Sequence, residues 1–373
     1  MTATERARRP ELLSVDFDER PFTIAWELTR SCALACLHCR AEAQPRRHPD
    51  ELTTDEALRV LDEVAALAPP VLVLTGGDPM MRPDLFDLIG GAAARGLRVS
   101  VSPTTTALAT RDRLARLRDA GVESVHVSLD GATAATHDAF RGFPGTYDRV
   151  LQILDDLSDL GMTVQVGTTV TARNAGELPE MARVLAGRGI RIWSVFFLVP
   201  TGRGVHESMV DVETAEATWE WLCELAERAP FAVRTTAAPQ YRRTALRRAR
   251  ERSDHPVRLT GAGYQMREAP SGVQTRGVND GKGFLFIDHV GNICPSGFLQ
   301  IPAGDVRTDA VAEVYRHSPL FRALRDPSML TGRCGRCRYA DLCGGSRARA
   351  YGVSGDYLAE DPLCGLTEEE IAH

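Results

Sequence analysis

The sequence predicts an α/β fold, a partial (β/α)6 barrel followed by a smaller segment built around a β-hairpin. Three observations predict it. From Phe22 to about Trp221, short β-branched runs alternate with amphipathic helical stretches, the pattern of parallel strands joined by crossover helices. Six such units can be counted, too few to close an eightfold barrel. Beyond residue 278 the pattern changes to a hairpin and a group of cysteines.

The strands are expected at Phe22–Leu28, Val71–Leu74, Arg98–Val101, Ser124–Leu129, Thr163–Val170 and Arg191–Leu198. The helices between and after them are expected at Thr54–Leu67, Pro83–Arg95, Arg111–Ala120, Tyr147–Leu160, Glu177–Arg188 and Val212–Ala226. From 228 to 277 the periodicity fades and charges bunch, most densely in a helix over Tyr241–Arg252 whose basic face reads as solvated or as a site for a substrate anion. Four divisions follow: an extension over 1–21, a barrel over 22–227, a helical bridge over 228–277 and a hairpin-bearing segment over 278–373. That last segment opens with Phe284-Leu-Phe-Ile-Asp and Gly291-Asn-Ile-Cys294, the two arms of the hairpin.

Composition sets limits. In 373 residues, 25% are charged and 43% apolar, and the formal charge is -6, which gives no electrostatic footprint for nucleic acid. No apolar run approaches the roughly 20 residues of a membrane span. The first ten residues carry charge without a following apolar stretch, so no signal peptide is expected. Nine cysteines then suit a reducing, cytoplasmic setting in which thiols stay free to hold metal.

In parallel α/β sheets, reactive groups gather beyond the carboxyl ends of the strands. After the first strand comes Cys32-Ala-Leu-Ala-Cys36-Leu-His-Cys39. Three thiolates spaced this way can converge on a four-iron cluster and leave one iron without a protein ligand. A structural zinc wants a fourth nearby ligand at tetrahedral spacing, and His38, set between two cysteines, does not provide it. After the second strand comes Thr75-Gly76-Gly77-Asp78-Pro79, whose glycines allow close backbone approach to a ligand. The third ends in the hydroxyl run Ser102-Pro-Thr-Thr105-Thr, and the fourth in Ser128-Leu-Asp130-Gly131, with Arg141 farther on. The sixth runs into Pro200-Thr-Gly202-Arg203-Gly204, where Arg203 meets either an anionic substrate or solvent.

The CxxxCxxC spacing resembles the signature of the radical S-adenosylmethionine (SAM) superfamily, which usually has an aromatic residue where His38 stands. The resemblance implies a partial TIM-like barrel in which Cys32, Cys36 and Cys39 hold a 4Fe–4S cluster. Its open iron chelates SAM, and an electron cleaves the cofactor to a 5′-deoxyadenosyl radical. Gly76, Gly77 and Asp78 resemble the family's GGEP motif for the methionyl amino group, with Asp in place of the commoner Glu. Thr105 and Ser128 are implied as cofactor contacts, and Arg141 as the basic partner of the cofactor carboxylate, since a guanidinium offers two parallel donors.

Farther on stand Cys334, Cys337, Cys343 and Cys364. Four thiolates can serve one cluster or one zinc ion, and spacing does not separate the two. CxxC-x5-C-Gly-Gly is similar to the core of the SPASM/twitch extension, which implies a second, auxiliary 4Fe–4S cluster. The chain departs from a full SPASM domain: Ser296 and Arg347 stand near positions where further ligands are expected, so only one auxiliary cluster has its ligands. Cys223 reads as helix packing. Cys294, on the hairpin, is a candidate hydrogen-atom donor to a substrate radical.

A radical SAM enzyme acting on a small molecule is therefore expected, with flavodoxin or ferredoxin as electron donor. Residues 1–21 are too few for the winged-helix domain that many peptide modifiers carry. If Cys294 donates hydrogen, the outcome is epimerisation of a carbohydrate-like centre, as in antibiotic biosynthesis. If the auxiliary cluster takes an electron, it is dehydrogenation or oxidative decarboxylation. The Pro-Thr-Gly-Arg-Gly tail resembles the haem-biosynthesis branch and keeps a tetrapyrrole decarboxylase as the alternative, beside ribosomal-peptide modification. From another class, a non-catalytic metal-binding redox sensor would use the same cysteines.

Overall fold

A computed structural model describes residues 12–253, 255–269 and 272–372. Its main sheet begins with seven parallel strands in chain order: β1 (Thr23–Glu27), β2 (Val71–Thr75), β3 (Val99–Val101), β4 (Ser124–Ser128), β5 (Thr163–Val170), β6 (Ile192–Phe197) and β7 (Ala232–Thr236). The helices α1 (Thr54–Leu67), α2 (Leu85–Ala94), α3 (Arg111–Asp119), α4 (Ala134–Arg141), α5 (Thr146–Asp159), α6 (Leu178–Ala186) and α7 (Val212–Arg228) lie between them.

Alternation along each strand sorts its side chains to two faces. Ile24, Trp26, Leu72, Leu74, Val125, Val127, Trp193 and Val195 turn outward into one continuous core with the helices. Helix starts are written locally: Thr53 and Glu56 form a reciprocal capping box on α1, satisfying two otherwise orphaned amides. The inward face is different. Ala25, Phe286 and Cys294 form a small separate cluster there, joined by Val73 and Phe284.

The expected six strands are present, and a seventh extends the sheet through parallel pairing of β7 with β6. Its sequence, Ala-Val-Arg-Thr-Thr, has a single strong apolar residue, which hides it from a periodicity reading. Residues 228–277 are not simply a helical bridge. They hold β7, α8 (Gln240–Arg252) and a three-stranded antiparallel sheet of β8 (Arg258–Gly261), β9 (Tyr264–Ala269) and β10 (Gly272–Gly277).

The hairpin is present as β11 (Phe284–Ile287) and β12 (Asn292–Cys294), paired antiparallel. Its first arm also pairs in parallel with β1, Thr23 opposite Phe284 through Trp26 opposite Ile287. With β13 (Gly304–Asp305) the sheet reaches ten strands in the order β13-β12-β11-β1-β2-β3-β4-β5-β6-β7. Short helices complete the chain: α9 (Val311–His317), α10 (Pro319–Arg325), α11 (Gly332–Arg336), α12 (Arg347–Ser354) and α13 (Glu368–Ala372). Among the described residues, no helix is long and apolar enough to cross a membrane.

Candidate active site

The loop after β1 is closed on itself by Cys32 N donating to Gln44 O (2.7 Å) and Gln44 N to Arg30 O (2.9 Å). Each sulfur in it receives an N–H. Leu34 N lies 3.4 Å from Cys32 Sγ, Ala43 N 3.4 Å from Cys39 Sγ, and Arg141 Nη1 3.6 Å from Cys36 Sγ. Burial pushes the Cys32 thiol up to about 11, so a thiolate there requires the charge of a metal.

A second segment clamps this loop. Arg203 donates from Nε to Cys36 O (2.9 Å) and from Nη1 to Ala43 O (3.1 Å), while its amide donates to Cys39 O (3.0 Å). Gly202 sits at φ +54°, and a Cβ there would meet Arg40 O at 2.5 Å and Cys39 O at 2.6 Å, so only glycine fits. Arg203 thus holds the cysteine loop, a role that neither reading of it named, while its Nη2 is buried without a partner.

Gly76 and Gly77 lie against the backbone leading into that loop. A Cβ on Gly77 would fall 2.5 Å from Ser31 O, and one on Gly76 2.5 Å from Thr29 O. Gly77 N donates to Thr29 O and Asp78 N to Ser31 O, both at 2.7 Å. Asp78 is buried and accepts from Met80 N (3.0 Å) and Thr106 Oγ1 (2.8 Å), tying the second loop to the third. Thr105 is buried, but it is Thr104 whose hydroxyl lies 3.9 Å from Cys32 Sγ. Ser128 ends β4 on the inward face, in register with Gly167.

Arg141 reaches the cysteine loop from α4, with Nη2 2.6 Å from Asp130 Oδ2. Burial works against its charge, but Asp130 and the Cys36 sulfur hold it firmly protonated. His38 stacks on Phe140 at 4.4 Å, filling the place of the family's aromatic residue, and burial drops it to about 4, so it is neutral.

Sequence reasoning passed over a cluster at the end of β1. Glu27 is fully buried, with Arg40 Nη1 2.9 Å, Arg30 Nε 3.1 Å and His289 Nδ1 3.0 Å from its carboxylate oxygens. Arg40 also lies 4.8 Å from the centre of the Phe286 ring. One carboxylate thus faces two guanidiniums, a local surplus of positive charge beside the cysteine loop. The signal in the sequence was a carboxylate closing an otherwise apolar strand. Cys294 lies deep in the same wall, 1% exposed, and burial pushes its thiol up to about 12, so it stays protonated.

The second cysteine group converges as well. Cys334, Cys337, Cys343 and Cys364 all line one pocket, together with Arg243, Arg333 and Gly345. Tyr339 N and Gly345 N lie 3.4 Å from the sulfurs of Cys337 and Cys343. Cys223 is buried between the helices and takes no part. Most of the basic face of α8 is matched by carboxylates of the protein itself. Arg243, Arg247, Arg248 and Arg252 pair with Glu216, Glu220, Glu224 and Glu227 along α7, so acidic and basic helices neutralise each other.

The donor chemistry fits iron–sulfur clusters. Among the described residues no three His, Cys, Asp or Glu side chains gather as closely as a single metal ion needs. The four later cysteines surround a pocket rather than a point, and Arg243 Nε and Arg333 Nε, both on its wall, are buried without an acceptor. An anionic group carrying sulfur acceptors would satisfy them.

The family model described as the radical SAM superfamily matches residues 26–185. The AdoMet-dependent heme synthase of Nitratidesulfovibrio vulgaris is 40% identical over 343 residues, 91% of either chain. The Fe-coproporphyrin III synthase of Methanosarcina barkeri is 31% identical over 380 residues, 97% of this chain and 92% of its own. In fold, Streptococcus suis SuiB bound to S-adenosylmethionine superposes with a TM-score of 0.70 over 93% of this chain and 78% of its own, at 14% identity. With SAM and two 4Fe–4S clusters as its cofactors, one binding SAM and one auxiliary, this chain belongs to the radical SAM superfamily.

Proposed function

We propose that the enzyme oxidatively decarboxylates propionate side chains of an iron tetrapyrrole. The observation that carries this is the likeness, at 40% identity over 91% of both chains, to a protein named AdoMet-dependent heme synthase. The comparable whole-chain likeness to an Fe-coproporphyrin III synthase supports the same substrate class. Both favour the tetrapyrrole alternative over the carbohydrate-like substrate and the epimerisation first expected, and neither supports a role in antibiotic biosynthesis. We read 22–227, extended by β7, as the catalytic barrel and 278–373 as the auxiliary-cluster segment.

When bound, SAM and the cluster at Cys32, Cys36 and Cys39 supply a carbon radical able to take a hydrogen atom from an unactivated carbon. The chain does the positioning. Gly76 and Gly77 keep backbone, not side chain, beside the cysteine loop, and Arg141 with Asp130 fixes Cys36 from the other side. Arg30 and Arg40, two cations on one buried Glu27, suit a propionate carboxylate at the barrel mouth. A propionate that loses a hydrogen atom and then carbon dioxide becomes a vinyl group only after giving up one electron. The four-cysteine pocket suits the acceptor of that electron, and flavodoxin or ferredoxin the source of the one consumed at the first cluster. Cys294 is not needed as a hydrogen donor on this route. Nine free cysteines suit a reducing cytoplasm.

Anaerobically reconstituted protein given SAM, dithionite and iron-coproporphyrin III is the test. The expected result is stepwise conversion of two propionates to vinyl groups by mass spectrometry, with one 5′-deoxyadenosine per step. Cofactor cleavage that leaves the tetrapyrrole unchanged overturns the proposal and turns attention to a peptide.

A further inference from the structure

Three arginines around the auxiliary-cluster cysteines have no ion-pair partner among the described residues: Arg333 lines the four-cysteine pocket, and Arg347 and Arg242 line the adjoining cavity that shares Cys343 with it. Arg347 is 2% exposed and donates from Nη1 to Ala359 O (2.6 Å) and Tyr357 O (3.1 Å) and from Nη2 to Cys334 Sγ (3.6 Å). Arg242, 9% exposed, donates to Val278 O and Leu342 O, and shares a cavity wall with Cys343 and Arg347. Arg333 spends its two terminal nitrogens on Cys364 O and Leu366 O and leaves Nε unpartnered. Among the described residues, no carboxylate lies within ion-pair distance of any of these three, and the buried Asp280 feels the charge of Arg347 only from beyond that distance. Their neighbour Arg349, by contrast, is matched by Asp361 at 2.7 Å.

Buried guanidiniums are retained where a counter-charge meets them. Backbone carbonyls satisfy hydrogen bonds but supply no charge. The three unmatched cations share one feature, a place against Cys334, Cys343 or Cys364. The backbone also makes room for the contact: at Gly345, φ +65°, a Cβ would lie 2.5 Å from Arg347 Nη2 and 3.2 Å from Cys334 Sγ.

We infer that Arg347, Arg242 and Arg333 form a cationic collar whose counter-ion is the auxiliary cluster, and that the collar raises the cluster's reduction potential so that it accepts the electron released on decarboxylation. Reduction adds one negative charge to a group enclosed in a low dielectric, so adjacent cations and N–H···S bonds stabilise the reduced form more than the oxidised. In the electron balance, the substrate radical loses one electron as its carbon–carbon double bond forms, the cluster gains it, and the carrier protein later removes it. Arg347 acts here as a positioning residue, through the cluster and not on the substrate. The inference rests on the reading of the four cysteines as cluster ligands.

An EPR-monitored redox titration of the anaerobic holoenzyme tests it, the first cluster's signal being identified by its response to SAM. Arg347→Gln should lower the auxiliary potential by about 59 mV, equivalent to about tenfold in the one-electron equilibrium, and Arg347→Lys should recover most of it. If Arg347→Gln loses the cluster while Arg347→Lys keeps it, the counter-ion role stands, and Arg333→Gln supplies the potential measurement. Unchanged potentials in both glutamine variants, or a lysine variant as low as the glutamine one, overturn the collar. Failure of the underlying reading looks different: Cys334→Ala would then leave iron at about eight per chain instead of about four.

Discussion

Replacing Arg203 by alanine should loosen the first cluster and leave the second untouched. The side chain makes two charge-assisted bonds, to Cys36 O at 2.9 Å and Ala43 O at 3.1 Å, which bridge the two ends of the cysteine loop. Bonds of this kind contribute about 1.5–3 kcal/mol each. Arg203 is half-buried and water can replace part of what is lost, so the lower figure applies, about 3 kcal/mol for the pair. At 1.4 kcal/mol per tenfold, the open loop becomes about 100-fold more populated. If iron leaves through that opening, its release to an excess of chelator accelerates by a similar factor. The assay is anaerobic chelation followed by absorbance, and about half the iron should depart in the fast phase. Arg203→Lys, which retains one donor, should fall between. Equal release rates in wild type and Arg203→Ala, together with a raised KM for the tetrapyrrole, would refute the clamp and restore the substrate-anion reading.

Three further outcomes can be checked. Gly77→Ala drives a Cβ into Ser31 O and Arg30 O, backbone atoms that cannot swing aside, at a cost of about 1–3 kcal/mol; 5′-deoxyadenosine formation should fall more than about tenfold while auxiliary iron is retained. Burial raises the Glu27 carboxyl, but Arg40, His289 and Arg30 override it and bring it down to about 2 from 4.5. A depressed carboxylate stabilises the fold above the unfolded value and ceases to as pH falls through the folded one. Denaturant midpoints should therefore drop between pH 4.5 and 2 and the drop should be smaller in Glu27→Gln. Cys294→Ala should leave both cofactor cleavage and vinyl product intact, and the product formed in deuterated water should carry no label from this thiol; loss of product in that variant would revive the hydrogen-donor role.

The barrel was legible because its strands and helices alternate with apolar runs that the outward face demands, and both cysteine groups were legible because ligand spacing is a local property. What escaped reading was decided by partners distant in sequence. The polar Arg-Thr-Thr end of Ala-Val-Arg-Thr-Thr concealed β7, whose register is imposed by β6. The basic run of α8 looked like a surface because its acidic complement lies on α7, reached only by folding. Arg203 looked like a loop cation for the same reason, its acceptors being carbonyls some 160 residues earlier. Arg347 reads from spacing as a position lacking a cysteine, while the turn of its guanidinium back to Cys334 is set by the fold.

The parallel pairing of β11 with β1 couples the two halves of the chain mechanically. A protein ending before Phe284 would expose the hydrogen-bonding edge of β1, four residues of which are matched by β11, and would lose the neighbour that braces the strand feeding the cysteine loop. Severing the C-terminal segment should therefore yield a sticky, iron-poor barrel instead of an enzyme lacking only its electron outlet. The tail was grafted into the seam of the catalytic sheet, so neither cluster can be engineered as though the other were absent.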